Sequence, residues 1–286
     1  MIFMTGASGF VGSAVLRKLI ERGDDVRALV RPSSDRRNLE GLQVDIVEGD
    51  LTDPETLRPA IKGCKGLFHV AADYRLWAPD PEPMFKANVE GTRTIMLAAG
   101  ESGVERIVYT SSVATLGLVP GEGVSDEETP VRFEDMIGPY KQSKFLAEAE
   151  VDQLVENEGL PAVIVNPSMP IGPRDIKPTP TGRMIVEAAS GKMPAYVDTG
   201  LNVVHVDDVA DGHILAFEKG TVGERYILGG EDMTLNEILG TVAEITGGKA
   251  PRARIPHDLI MPVAFLAEAW IRMTGGDEPF VTIDGL

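Results

Sequence analysis

The chain has 286 residues, of which 43% are hydrophobic and 25% charged, as in an ordinary soluble protein of one large or two small domains. Its net charge of −17 argues against nucleic acid or an anionic membrane as a partner, because both require basic surface. A single cysteine, no apolar run of membrane-spanning length and no basic N-terminal signal segment predict a cytoplasmic protein without an integral membrane segment.

The first twelve residues combine a strand, a glycine-rich turn and the start of a helix. An apolar run at 2–4 precedes Gly6, Gly9 and Gly12, and apolar residues at helical spacing follow. Gly6 allows a sharp turn, Gly9 allows backbone to approach a pyrophosphate, and Gly12 lets the helix pack closely on the strand. The spacing is one residue longer than the common dinucleotide fingerprint, and a plain strand-turn-helix is the alternative. The flanking strand and helix favour a dinucleotide site.

The rest of the first half alternates between strand-like and helix-like patterns. Strands are predicted near 1–5, 25–30, 43–48, 66–70, 105–110 and 162–166, and helices near 10–22, 53–62, 82–100 and 138–158. This alternation predicts an α/β fold with a Rossmann-type doubly wound parallel sheet and helices on both of its faces.

The second half is less regular. Residues 171–205 are rich in proline and predict a loop-rich excursion with one helix near 181–190. The remaining predictions are strands near 202–206, 225–229 and 252–255 and helices near 207–219, 234–246 and 258–273. We therefore predict an NAD(P)-binding domain over 1–170, to which 202–219 return, and a small C-terminal α/β substrate cap within 171–286.

Residues at the predicted strand ends indicate how a dinucleotide is held. Arg31 and Arg36 follow the second strand, where an acid would bind the adenosine ribose hydroxyls and an arginine can pair with a 2′-phosphate. This favours NADP(H) over NAD(H), with a solvated basic loop as the alternative. Asp50 and Leu51 follow the third strand and are expected at the adenine, whereas the small residues 70–72 leave room for the cofactor.

The strongest chemical signal is Tyr140 with Lys144, downstream of Ser112 at the end of the fifth strand. The first two are four residues apart on a predicted helix and therefore share one face. A nearby ammonium favours the tyrosinate, so Tyr140 is suited to exchange a proton with a secondary alcohol or ketone while a cofactor exchanges hydride. Ser112 is placed to hold the same oxygen. A surface tyrosine and lysine on an amphipathic helix is the alternative.

These residues stand in motifs that resemble the extended short-chain dehydrogenase/reductase superfamily. The motifs are TGASGFVG (5–12), GDL (49–51), HVAA (69–72), NVEGT (88–92), YTSSVATLG (109–117), NPS (166–168) and VHVDDVA (204–210). More narrowly, AADYRLWAPDP, EDMIGPYK, PIGPRDIKPTPTGR and PAYVDTGLN resemble the bacterial hopanoid-associated sugar epimerases.

The resemblance implies an NAD(P)-binding fold with Ser112, Tyr140 and Lys144 as the catalytic triad. It also implies Lys144 on the nicotinamide ribose, with Pro167 and Ser168 near the nicotinamide. The full set of predicted cofactor contacts is Gly6, Ser8, Gly9, Phe10, Val11, Gly12, Arg31, Arg36, Asp50, Leu51, Val70, Ala71, Ala72, Asn88, Tyr140, Lys144, Pro167 and Ser168.

The chain departs from the superfamily's patterns in two ways. Sugar-nucleotide dehydratases place an acidic pair after the catalytic hydroxyl, whereas Val113 and Ala114 follow Ser112 here, so dehydration is not expected. Related chains also continue beyond the point where this one stops, so part of the substrate lid is expected to be missing.

Substrate contacts are predicted from two loops. Tyr74, Arg75 and Trp77 follow the fourth strand, where a loop should overhang the nicotinamide, with a packed loop cluster as the alternative. Arg174 and Arg183 are placed to grip a diphosphate, with solvent-facing charges as the alternative. His205 and His213 have no cysteine partners, so no metal site is predicted.

The sequence leaves three functions open. The first is a nucleotide-sugar epimerase of the hopanoid-associated type, in which hydride leaves and returns to one bound cofactor. The second is an NADPH-dependent ketone reductase like the dihydroflavonol reductases, acting on a sugar-like or cyclic ketone. The third is a non-catalytic NADP sensor. Second apolar stripes on the helices near 84–100 (Ile95, Leu97) and 138–158 (Phe145, Leu146, Val151) predict a homodimer.

Overall fold

Seven parallel strands form the central sheet of the computed structural model, which describes residues 1–119, 121 and 123–274. The strands are β1 Ile2–Thr5, β2 Val26–Val30, β3 Asp45–Glu48, β4 Gly66–His69, β5 Arg106–Thr110, β6 Ala162–Pro167 and β10 Arg225–Leu228. Their order is β10-β6-β5-β4-β1-β2-β3, and each neighbouring pair is parallel. The strand order reverses between β1 and β4, where Rossmann-type sheets bind ligands.

Helices cover both faces of this sheet, as the alternating pattern predicts. They are α1 Phe10–Glu21, α2 Pro54–Ile61, α3 Glu82–Phe85, α4 Gly91–Glu101, α5 Gly138–Glu158, α6 Pro180–Ala189, α7 Val206–Lys219, α8 Leu235–Thr246 and α9 His257–Thr274. Successive residues of β1 enter different cores: Met4 packs with α1 and α7, whereas Phe3 packs with α2, α4 and α5. The inner strands β1, β4, β5 and β6 are therefore buried on both sides, as parallel strands usually are, whereas the edge strands β3 and β10 are partly exposed.

Local sequence explains several helix boundaries. The side chain of Asp53 accepts a hydrogen bond from the amide of Glu55, and Pro54 occupies the first position of α2. Gly159 ends α5 in the left-handed conformation. Thr234 and Glu237 form a capping box at the start of α8. These signals fix where the helices begin and end.

The predicted helix near 82–100 is interrupted in the structure. Between α3 and α4, residues Lys86–Glu90 form a π-helical turn. This wide turn contains the buried Asn88, and such turns occur often at functional sites.

The second half contains short strands that the sequence does not reveal. The strands β7 Met169–Ile171, β9 Gly200–His205 and β11 Glu231–Thr234 form one small sheet, and β8 Ala195–Val197 pairs with β12 Ala253–Ile255. Three of these five strands, β7, β8 and β11, have no counterpart in the prediction. They are three or four residues long and mostly part-exposed, so they show no clear apolar alternation.

The chain returns to the central sheet after its first excursion. Helix α7 packs against α1 and β6, and β10 then pairs with β6. The main sheet therefore extends past the predicted return at 202–219. The division into a cofactor domain and a cap stays a prediction. Within the described residues, no helix combines the length and apolar character needed to cross a bilayer.

The two apolar stripes that predict a homodimer, on the helices near 84–100 and 138–158, each contain a residue that is buried in the core. Ile95 and Val151 are fully buried in the core between the sheet and α2, α4 and α5. Leu97 packs partly against the same core, while Phe145 and Leu146 are part-exposed. The prediction of a surface stripe is wrong for Ile95 and Val151, because these positions on α4 and α5 face the sheet. A homodimer stays a prediction.

Candidate functional site

The glycine-rich turn connects β1 to α1 in a conformation that excludes side chains. Gly6 has φ +76°, and a Cβ there would lie 2.6 Å from the amide nitrogen of Ala71. A Cβ on Gly12 would overlap the carbonyl oxygen of Gly6. The backbone after β1 therefore packs directly against the backbone after β4 and against the first turn of α1.

The start of α1 is suited to hold an anion. Gly9 precedes the helix, no side chain caps its first amides, and its first turn contains no acid. These amides and the helix dipole together favour a phosphate group. The predicted contacts Ser8, Phe10 and Val11 lie in this turn, and the geometry fits the pyrophosphate of a dinucleotide.

The ends of β2 and β3 lie beside the glycine-rich turn. Arg31 is exposed directly after β2, and its charge helps to lower the pKa of Asp50. The main cause of that lowered pKa is the hydrogen bond from the amide of Thr52, which the Asp50 carboxylate accepts at 2.9 Å. Arg36 forms an ion pair with Glu48, so its charge is partly engaged within the protein.

The end of β4 and the π-helical turn form the next part of the site. The amide of Ala71 donates to the hydroxyl of Thr5 at 3.2 Å, which holds Val70, Ala71 and Ala72 beside the glycine-rich turn. The side chain of Asn88 accepts from the amide of Asp73 at 2.7 Å and donates to the Asp73 carbonyl and the Ser143 hydroxyl, both at 2.9 Å. Asn88 thus connects the loop after β4 to α5, and its contact with cofactor stays a prediction.

Lys144 projects from α5 to the end of β5. Its ammonium donates to the carbonyl oxygen of Thr110 at 2.8 Å and to the hydroxyl of Tyr109 at 3.0 Å, and lies 4.6 Å from the centre of that ring. Burial lowers the pKa of Lys144 to about 8, and the negative charge of Glu148 opposes this shift. Two of its three donor positions are occupied, which leaves one for a ribose hydroxyl.

Tyr140 lies in the first turn of α5, one turn before Lys144. It is part-exposed, whereas Lys144 is 2% exposed, so the phenol lies nearer the surface of the site. The first turn of α5 contains no acid.

Ser112 follows β5 in extended conformation at the start of the 3₁₀ turn Val113–Thr115. Its hydroxyl oxygen accepts a hydrogen bond from the amide of Ala114 at 3.1 Å. The hydroxyl hydrogen therefore remains available for a substrate oxygen. The acidic pair typical of dehydratases is replaced by Val113 and Ala114 in this turn.

Pro167 and Ser168 stand at the end of β6, at the same edge of the sheet. Pro167 is the last residue of that strand, and the amide of Ser168 donates to the carbonyl of Leu228 at 3.1 Å. All the predicted cofactor residues thus lie along one edge of the sheet or on the helices that begin there.

The three predicted substrate residues in the loop after β4 differ in exposure. Tyr74 is 39% exposed, Arg75 pairs with Asp73, and Trp77 is 9% exposed with its ring nitrogen buried. The loop therefore presents Tyr74 outward, and Trp77 packs inside it. A substrate role for these residues stays a prediction.

The two predicted phosphate-gripping arginines do not share one location. The backbone carbonyl of Arg174 accepts from Asn38 at 3.0 Å, and the same Asn38 nitrogen lies 3.1 Å from the carbonyl of Ser8. The Arg174 guanidinium forms an ion pair with Asp207. Arg174 therefore lies beside the glycine-rich turn, whereas Arg183 is exposed on α6.

The two histidines have structural positions. The ring of His205 accepts from the amide of Asp207 at 3.2 Å and caps α7. His213 is fully buried between the hydroxyl of Thr110 and the carbonyl of Val209.

Two buried polar residues behind the predicted triad are not among the predicted site residues. Glu148 is 4% exposed on α5, and Asn166 is fully buried in β6. Two signals were available: the spacing of four residues from Lys144 to Glu148, which is common on helices, and the place of Asn166 in the motif NPS (166–168). Their pairing requires the three-dimensional fold.

Comparison with known proteins identifies the family of this chain. The model of the NAD dependent epimerase/dehydratase family matches residues 2–229. A Synechocystis protein named "Putative dihydroflavonol 4-reductase" is 48% identical over 99% of this chain and 83% of its own length.

Two solved structures show the same architecture. The crystal structure of gox2253 is 58% identical, with a TM-score of 0.90 over 100% of this chain and 86% of its own. The Thermus thermophilus UDP-glucose 4-epimerase in complex with NAD is 26% identical, with a TM-score of 0.78 over 99% and 95% of the two chains. This chain therefore belongs to the NAD-dependent epimerase/dehydratase family and is an NAD(P)-dependent enzyme of the extended short-chain dehydrogenase/reductase class.

Proposed function

We propose that this enzyme is an NADP(H)-dependent reductase of a sugar-like or cyclic ketone. The observation that carries the proposal is the buried Lys144 ammonium at the end of β5, one helical turn from Tyr140. A buried lysine with a lowered pKa is costly, and such costs concentrate at active sites. A protein that only senses a nucleotide could use the lysine for the ribose but has no need of a phenol one turn away from it.

The triad residues divide the work of the reduction. A bound nicotinamide cofactor supplies the hydride that reaches the carbonyl carbon of the substrate. The Ser112 hydroxyl donates a hydrogen bond to the carbonyl oxygen, and Tyr140 transfers its phenolic proton to the same oxygen. The Lys144 ammonium stabilises the phenolate left behind and binds the cofactor ribose.

Arg31 supports NADP(H) as the cofactor. It directly follows β2, where an acid would select the free ribose hydroxyls, and its guanidinium is suited to a 2′-phosphate. The ion pair of Arg36 with Glu48 makes Arg36 the weaker candidate.

A sugar-nucleotide epimerase is the second candidate. The structural likeness to a UDP-glucose 4-epimerase and the sequence resemblance to hopanoid-associated sugar epimerases favour it. Epimerases that recycle their cofactor usually carry an acid after the second strand, and Arg31 stands there in this chain. For this reason we place the reductase first.

The triad is tested by turnover of NADPH with a panel of sugar-derived and cyclic aromatic ketones. We expect Tyr140→Phe to lower kcat by about 100-fold or more, because general acid catalysis typically contributes that much. The dissociation constant for NADPH should stay within about two-fold, since the phenol oxygen alone is removed. A Tyr140→Phe enzyme with wild-type turnover would rule out this mechanism.

The cofactor preference is tested by Arg31→Glu, with Arg36→Glu as the matched control. Arg31→Glu should weaken NADPH binding by about ten-fold or more and leave NADH binding unchanged or better, because a carboxylate repels the 2′-phosphate. Calorimetric titration with both nucleotides measures the ratio of the dissociation constants for NADPH and NADH. Equal NADPH affinity in Arg31→Glu and wild type would remove the argument for NADP(H).

A further inference from the structure

A buried carboxylate behind the triad has no role in the mechanism above. Glu148 lies on α5, one turn beyond Lys144, and is 4% exposed. Burying a carboxylate is costly unless charge and hydrogen bonds compensate it. A residue needed only for packing there could be neutral, so the charge requires a reason.

The contacts of Glu148 lead directly to the catalytic serine. One of its oxygens, Oε2, accepts from the hydroxyl of Thr115 at 2.9 Å and from the side-chain nitrogen of Asn166 at 3.0 Å. Each of these two donors also lies close to the backbone carbonyl of Ser112, at 2.7 Å from Thr115 and 3.0 Å from Asn166. Three segments therefore meet here: the loop after β5, helix α5 and the end of β6.

Glu148 also sets the orientation of Asn166. Only the NH₂ group of an amide can face a carboxylate, so the carbonyl oxygen of Asn166 must point away. In the described part of the chain that oxygen is buried without a hydrogen-bond partner. An unsatisfied buried acceptor is unfavourable, so this orientation depends on the two acceptors of the NH₂ group, the Glu148 carboxylate and the carbonyl oxygen of Ser112.

The second oxygen of Glu148 faces a cation from the edge strand. Oε1 lies 3.2 Å from Arg225 of β10, and Arg225 also pairs with Asp152 at 2.9 Å. Asp152 is thus a second acid on α5 that shares the arginine. No hydrogen bond of the described residues joins Asp152 to Thr115, Asn166 or Ser112.

We propose that Glu148 is a positioning residue, which ties the backbone of Ser112 to the helix that carries Tyr140 and Lys144 and to the strand that ends at Pro167. Its charge also acts on the Lys144 ammonium one turn away. This inference rests on the proposed function for its catalytic consequence, but the position and charge of Glu148 can be measured without a substrate.

The charge is tested with Glu148→Gln, which keeps an acceptor for Thr115 and Asn166. The matched control is Asp152→Asn, which removes the other acid from Arg225. The titration of Lys144 is followed by nuclear magnetic resonance of ¹³Cε-labelled lysine, assigned with Lys144→Arg. The titratable groups around this ammonium are Tyr109 of β5, His69 of β4 and the Tyr140 and Glu148 of its own helix.

Glu148→Gln should lower the pKa of Lys144 by about one pH unit, because an attractive charge is lost. Asp152→Asn should leave the pKa of Lys144 unchanged within experimental error. In the ketone assay Glu148→Gln should lower kcat by about ten-fold or more while the dissociation constant for NADPH changes less than about two-fold. A global structural defect would instead weaken cofactor binding together with turnover.

The connection to Ser112 is tested separately with Thr115→Val, which removes one hydroxyl and leaves the charge of Glu148. It should lower kcat with an unchanged Lys144 titration. A Glu148→Gln protein whose Lys144 titration matches that of Asp152→Asn would overturn the inference. A wild-type enzyme inactive with every ketone would overturn the proposed function, while the Lys144 titration would still decide the role of Glu148.

Discussion

At the scale of single residues, Lys144 shows how the site exchanges stability for chemistry. Its ammonium is buried against Tyr109 and the carbonyl of Thr110, and burial lowers its pKa to about 8 from an ordinary value of 10.5. In the proposed mechanism the cation has to persist near neutral pH, because it would stabilise the tyrosinate of Tyr140. The cost of the buried charge is then accepted in return for the proton transfer.

This cost predicts the effect of Lys144→Met. Between about pH 8 and 10.5 the unfolded chain binds more protons at Lys144 than the folded chain, so the free energy of unfolding rises with pH through this window. Below about pH 8 the buried ammonium lowers the free energy of unfolding by its full amount. At pH 7 the variant should be more stable by about 1–3 kcal/mol, since the lost hydrogen bonds offset part of the gain.

Urea unfolding at pH 7 and near pH 10 measures this difference. The advantage of Lys144→Met should shrink at the higher pH, where the wild-type lysine becomes neutral in the folded state. Turnover should be lost at both pH values. A variant that is less stable than wild type at pH 7 would show that the ammonium is well compensated in the folded protein.

A site residue can be predicted from the sequence when its position follows from a local pattern such as helix spacing or a strand end. Tyr140 and Lys144 share a helix, and Ser112 follows a recognisable strand, so helix spacing and strand order are enough to predict all three. Glu148 and Asn166 meet only through packing of α5 on β6, and no local pattern encodes that contact. A buried carboxylate on an amphipathic helix looks like a surface charge in the sequence.

At the scale of elements, the tight contact between β1 and α1 shapes the cofactor site. Gly12 allows the first turn of α1 to touch the carbonyl of Gly6, and this contact brings the first amides of α1 to the position that we propose for the pyrophosphate. The helix therefore contributes both its packing and its dipole to the same site.

A substitution of Gly12 separates this role from general helix stability. Gly12→Ala should reduce affinity for NADPH by about 100-fold or more, because the new methyl group displaces the start of α1 from Gly6. Gly240→Ala is the matched control, since that position in α8 has no atom within 4 Å of a new Cβ. The control should stabilise the fold by about 1 kcal/mol and leave binding intact. Calorimetric binding and thermal unfolding measure both effects, and equal NADPH affinities in the two variants would contradict this role of Gly12.

The elements differ in how well the sequence predicts them. The inner strands of the central sheet are buried on both faces and flanked by helices, so their apolar runs stand out. The short strands β7, β8 and β11 pair with distant segments and are mostly part-exposed, which leaves no apolar run to find. The π-helical turn around Asn88 has the same apolar spacing as the helices beside it.

At the scale of the whole molecule, a chain of net charge −17 binds an anionic cofactor through local features. The start of α1, Arg31 and Lys144 supply positive charge along one edge of the sheet. All seven strands of the central sheet run parallel, so their ends bring these groups together although they are far apart in the sequence. The alternating strand and helix pattern of the first half predicts that these groups lie at one edge of the sheet. The arrangement of the predicted cap does not follow from that pattern.

How tightly the whole enzyme holds its cofactor distinguishes the proposed reductase from the epimerase most directly. Protein purified without added nucleotide is dialysed and denatured, and any released dinucleotide is identified by mass spectrometry. A reductase exchanges its cofactor at every turnover, so we expect far less than one equivalent of nucleotide and reversible binding of NADPH. One equivalent of oxidised dinucleotide that survives dialysis would contradict the reductase and identify an epimerase that recycles its cofactor.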